Sequence, residues 1–114
     1  MIRNLTPHPI RVYEWDRKDG TDDLEAQLKY VIAPEPEPAR LATIELNTEA
    51  DGVVLVEFGH RADLPRPQDG VRLVVSLVVA LRHVIERNDL LVPYCEVRNA
   101  SGTVIGCRAL AQPV

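Results

Sequence analysis

The sequence has few rings. One tryptophan, one phenylalanine and three tyrosines amount to 4% of 114 residues, so the core must be filled by aliphatic side chains. Cysteine occurs twice, without a C-x-x-C pair or a close histidine pair. Two buried thiols are the favoured reading, with a bridge between them left open, and nothing supports a zinc centre. Basic residues are outnumbered 13 to 17, for a net charge of −4. General nucleic-acid binding is therefore not expected, because neutralising phosphates needs a basic face. The longest apolar stretch, Val71 to Leu81, is interrupted by Arg72 and Ser76 and is too short to cross a bilayer. With no apolar leader segment in view, the expected compartment is the cytoplasm, with no membrane partner. There is no G-x-S-x-G, phosphate-binding glycine loop, H-E-x-x-H or dinucleotide fingerprint. No cofactor or metal is expected.

What remains is 46% apolar, largely Val, Leu, Ile and Ala. That suits one folded domain over residues 1–114 with a lean toward strands. Residues 2–15 read as a first strand and 29–33 as a short second one. DRKDGTDDLE (16–25) reads as a solvated, charged loop. PEPEP (34–38) is a stiff, extended connection. Residues 39–46 alternate as a half-buried strand, and 53–58 form another. Residues 71–76 read as a buried strand. From Leu77 the apolar period becomes helical, which predicts one helix over 77–87. Ser76 would be its N-cap, Leu77, Leu81, Val84 and Ile85 its inner face, and His83 would lie on its exposed face. CEVRNASGTVIGCRAL reads as a hairpin with Gly102 ending a three-residue loop, a register that sets Cys95 opposite Cys107. The class expected is α+β: a mainly antiparallel sheet with one helix, and closure into a barrel-like shape left open.

The candidate site starts from MIRNLTPHPI. Pro7 and Pro9 stiffen the segment around His8, which protects a strand edge or presents Asn4, Thr6 and His8 to a ligand in a preset geometry. Ser76, Arg87 and Asp89 cluster around the helix ends, where capping and local ion pairing are the plainer roles.

N-L-T-P-H-P at Asn4–Pro9, V-S-x-x-V at Val75–Val79, R-x-D-L at Arg87–Leu90, Pro93, and V-R-N-x-x-G-x-V-I-G-C-R at Val97–Arg108 resemble a family of small hypothetical proteins of bacteriophages and actinobacteria. The resemblance covers the first strand and the last third of the chain. It implies a phage-like or bacterial setting and no established activity. The segments that carry it hold Asn4, Thr6, His8, Ser76, Arg87, Asp89 and Arg108, which are expected to gather at one end of the sheet as a ligand site. Two functions follow. One is a non-enzymatic binding protein, a homo-oligomer holding a small anionic or nucleotide-like ligand, by analogy with phage proteins that sequester signalling nucleotides. The other is a small enzyme using His8 with Asp89 for general acid/base chemistry.

Overall fold

The computed structural model describes residues 1–48 and 51–114. Among them run β1 (Ile2–Asn4), β2 (Ile10–Tyr13), β3 (Leu28–Ile32), β4 (Leu41–Thr48), β5 (Val54–Ala62), β6 (Arg72–Val74), α1 (Leu77–His83), β7 (Leu90–Arg98) and β8 (Val104–Ala111). The class is α+β and β-rich, as expected. Six strands form one sheet in the order β1-β6-β7-β8-β2-β3, and β4 and β5 pair only with each other. The longer ladders, β7–β8, β4–β5 and β2–β3, are antiparallel. Three short ladders are parallel: β1–β6, β6–β7 and β2–β8.

The ends of the six-stranded sheet meet. Asn4 bridges to Pro34 in parallel, and the Glu35 N–H donates to the Asn4 carbonyl at 2.8 Å. The sheet is thus nearly closed into a barrel. The expected single strand over 2–15 is two strands, because Thr6-Pro7-His8-Pro9 turns the chain out of the β1 ladder before β2 begins. A proline has no N–H for a ladder. Asn4 holds that turn from inside. It is fully buried. Its Nδ2 donates to the carbonyls of His8 (2.7 Å) and Ile32 (3.1 Å), and its Oδ1 accepts from the N–H and hydroxyl of Thr6 (2.9 and 2.6 Å). Both donors and both acceptor positions of the amide are used.

The core is aliphatic. Leu5, Leu73, Val75, Val79, Ala80, Leu90 and Val92 form one cluster, and Ile10, Val12, Val74, Leu91 and Cys107 a second. The helix ends at His83, not Arg87, and turns the other face inward. Val79, Ala80 and His83 are buried, while Leu77, Leu81 and Ile85 stand in solvent. Residues 77–81 are all apolar, so their period does not distinguish one face from the other. The buried choice is fixed by His83, whose Nε2 accepts the Ala62 N–H at 3.0 Å while Nδ1 faces Glu86 at 3.0 Å. A buried imidazole with both nitrogens partnered costs little. Ser76 caps the helix as expected, accepting from the Val79 N–H at 3.4 Å.

The 16–25 segment is not simply solvated. Asp19 accepts the Arg98 N–H and an Arg108 guanidinium N–H, both at 3.0 Å, and Asp22 accepts the Ala100 N–H at 3.0 Å. The segment therefore straps the β7–β8 hairpin. Arg17 is buried beneath it, 4.3 Å from the centre of the Tyr13 ring, donating to the carbonyls of Ala26 and Thr21.

The hairpin loop is as read, with Gly102 at φ 83° and the Asn99 N–H on the Thr103 carbonyl. Beyond it the register shifts by one at a bulge, so Cys107 pairs with Glu96 and not Cys95. Cys95 itself is left-handed, at φ 61°. Val92 and Val97 are both buried although five residues apart, so the alternation of β7 changes phase between them. Both thiols are free, Cys95 exposed and Cys107 buried.

Two substitutions test this frame. Asn4→Ala strands the carbonyls of His8 and Ile32 at the seam, and is expected to cost about 3 kcal/mol in urea unfolding. Gly106→Ala would place a Cβ 2.5 Å from the Arg11 carbonyl oxygen and 2.7 Å from the Tyr13 ring. It is expected to cost about 2 kcal/mol by forcing β8 away from β2, read in the same experiment.

Candidate functional site

A slot of about 510 Å³ opens beside the junction of β2 and β8. That junction has one ladder pair, Val12 with Cys107. Gly106 is essential to its shape, because β8 approaches the β2 backbone too closely for any side chain there. The walls are mainly apolar: Pro9, Ile10, Leu24, Pro93, Val104 and Ile105. His8 and Arg11 also line it, and no carboxylate does. Arg11 forms no ion pair among the described residues. Cys107 contributes a sulfur whose burial pushes the thiol pKa up. Its S–H faces the Arg11 carbonyl at 3.8 Å, so at neutral pH it is a thiol and a weak nucleophile.

A second, larger cleft of about 730 Å³ lies between the PEPEP segment and residues 63–65. Its arginines, Arg3 and Arg40, face three acids, Glu35, Glu37 and Asp63. Arg3 is already bound to Glu35 at 2.8 Å. An anion entering there would meet more negative than positive charge. An anion entering the smaller slot would meet only Arg11 and His8.

The seven expected site residues do not gather. Asn4 and Thr6 bond each other and the turn, so their polar atoms serve closure of the barrel. Only His8 of the seven lines the slot; its carbonyl belongs to Asn4 and its side chain is exposed. Ser76 caps α1. Arg87 and Asp89 form a two-pronged ion pair at 2.9 and 2.8 Å, and Arg87 also donates to the Pro65 carbonyl at 2.9 Å. Arg108 ties β8 to the strap through the Arg17 carbonyl (2.8 Å to Nε) and Asp19.

His8 and Asp89 are also apart. Asp89 precedes Leu90, which pairs with Leu73 where β6 and β7 begin. The slot of His8 reaches Pro93, roughly 13 Å further along β7 at about 3.3 Å per residue. The acid/base pair is not formed among the described residues: Arg87 holds both Asp89 carboxylate oxygens, and the His8 slot meets β7 only at Pro93.

Sequence reasoning passed over Arg11, Pro93 and Gly106. A glycine inside the V-I-G-C-R strand was the available signal, since strand glycines mark close backbone approach. Arg11 carried none, as it alternates with Ile10 and Val12 like any outward strand residue. No protein-family model, no curated protein and no solved structure matches the chain.

The Arg87–Asp89 pair generates a pH prediction. Hydrogen bonding to Arg87, more than charge alone, holds the Asp89 carboxyl below its ordinary value against the opposing effect of burial. A carboxylate depressed in the folded state adds stability that is complete above its unfolded pKa of about 4 and is lost as pH falls through the folded value. Asp89→Asn should therefore lower the urea midpoint at pH ~7, and the gap to wild type should narrow steadily as the pH is taken below about 4.

Proposed function

We propose that this chain is a non-enzymatic binding protein that holds a small anionic ligand with an apolar or aromatic body, nucleotide-like in its chemistry, in the His8–Arg11 slot. The observation that supports it most is the composition of that wall: an apolar lining, two basic side chains and no carboxylate. The volume, about 510 Å³, lies within the range of small-molecule sites, roughly 300–1,000 Å³. Arginine suits a phosphate or carboxylate because its planar fork offers parallel donors. The stiff Pro7-His8-Pro9 segment reduces the ordering cost of binding. Holding a ligand without turning it over would parallel, as an analogy only, phage proteins that sequester signalling nucleotides, and two free thiols suit a reducing cytoplasmic setting.

The test is calorimetric titration with nucleoside monophosphates and the matching nucleosides, beside native mass spectrometry of gently purified protein. Nucleotides should bind and nucleosides should not. Arg11→Ala should weaken binding by about 10- to 100-fold, with the melting temperature of the free protein unchanged. No heat with any nucleotide at millimolar concentration, together with no retained mass, would overturn the reading.

A further inference from the structure

The β4–β5 ribbon makes no ladder with the rest of the sheet. It was expected to contain a half-buried strand, yet nearly every residue of β4 and β5 is exposed. Ile44, Leu46, Val54, Leu55, Val56 and Phe58 are each 40–61% exposed. Both faces are involved: Phe58 pairs with Thr43 and Val56 with Glu45 on one, while Ile44 pairs with Glu57 on the other. A two-stranded ribbon alone in water is marginal, and its outer backbone edges invite pairing. The ribbon also extends the molecule. The radius of gyration is 16.3 Å, against about 13 Å for a compact chain of this length.

At the root of the ribbon, the Ala62 N–H is held by His83 of α1, and Arg61 pairs with Glu86 at 2.7 Å. The outward face of the helical segment begins here: Leu77, Val78, Leu81 and, fully exposed, Ile85. Ribbon and helix face together expose roughly 500 Å² of apolar side chain, taking about 100 Å² for a fully exposed aliphatic side chain and about half of that for most of the residues just named. A standard interface buries about 800 Å² per partner, a little over half of it apolar. The surface is thus the size that a stable pair of chains needs.

We infer that a second copy of this chain covers it, each ribbon lying against the partner's ribbon and helix face about a two-fold axis. Two observations favour a second copy over a foreign protein. The ribbon is apolar on both faces, and reciprocal arms bury both faces at once, whereas docking on one flat surface buries one. The charges also complement: with Arg61 of β5 already paired to Glu86 at the root, the described ribbon is left with Glu45 and Glu57, and the helix face is flanked by exposed Arg82. A two-fold brings the acids of each copy toward the arginine of the other. This inference does not depend on the ligand slot.

Sedimentation velocity of the whole, ligand-free chain from about 1 to 100 μM tests it. The wild type should sediment at twice the chain mass. Phe58→Glu and Ile85→Glu should each raise the dissociation constant by at least about tenfold, one side chain's share of such an interface. Ile85 is fully exposed, so Ile85→Glu should keep the wild-type circular dichroism and remain informative if Phe58→Glu does not fold. A wild-type monomer throughout that range overturns the inference and assigns the face to a foreign partner. A dimer that neither substitution weakens also overturns it, by placing the contact elsewhere.

Discussion

The Asn4 carboxamide is the constraint on which the rest of the barrel depends. Strands β1 and β3 stand at opposite ends of the sheet order, and closing such a sheet requires some group to satisfy the backbone where the ladders fail. Asn4 does this with one side chain, reaching the carbonyl of Ile32 on β3 and the carbonyl of His8 in the turn. Backbone polar groups buried without partners are costly, and the prolines on either side of His8 remove donors that would need them. The turn therefore contributes fewer groups to satisfy, and the amide satisfies those that remain. The stiffness around His8 belongs first to this closure.

Closure at Asn4 also positions the slot. With β1 and β3 held together, β2 meets β8 through a single pair, and the ladder is too short to fill the space beside it. Gly106 lets the backbones touch where they do touch. The strap from β2 to β3 then adds Leu24 to the wall, anchored by the Tyr13 hydroxyl on the Leu24 carbonyl at 2.9 Å and by Asp19 on the hairpin. Arg108 serves this anchoring, and hydrogen bonding from the Arg98 amide and from Arg108 holds the Asp19 carboxyl below its usual value.

Much of the fold is legible in the sequence because local signals agree there. Gly102 ends its loop, Ser76 caps its helix, and the Val- and Leu-rich segments form the strands. The site is less legible, for physical reasons that differ by residue. Asn4, Thr6 and Arg108 have the chemistry of ligand-binding residues, but each meets a partner within the fold, while Arg87 and Asp89 pair locally, as their two-residue spacing suggests. His83 looks like a solvated helix residue until the Ala62 amide, 21 positions away, turns it inward. The Cys95–Cys107 register fails because a one-residue bulge after the turn lies below the resolution of alternation. Arg17 is the extreme case: a cation in an acidic segment, buried over an aromatic ring.

The same contact that turns His83 inward decides what the outside of the molecule looks like. A helix of two turns has room for one buried stripe. Once Val79, Ala80 and His83 take it, Leu77, Leu81 and Ile85 must face solvent, next to a ribbon that is already apolar on both sides. The Nε2 of His83 accepts from the last residue of β5, so helix face and ribbon root are fixed relative to each other by a hydrogen bond across buried surface. A protein that only needed to remain a soluble monomer would gain by placing polar residues at these positions, since nothing in the barrel uses them. Their apolar character is what the inferred pairing of two chains would use, and the His83–Ala62 hydrogen bond sets helix face and ribbon root side by side.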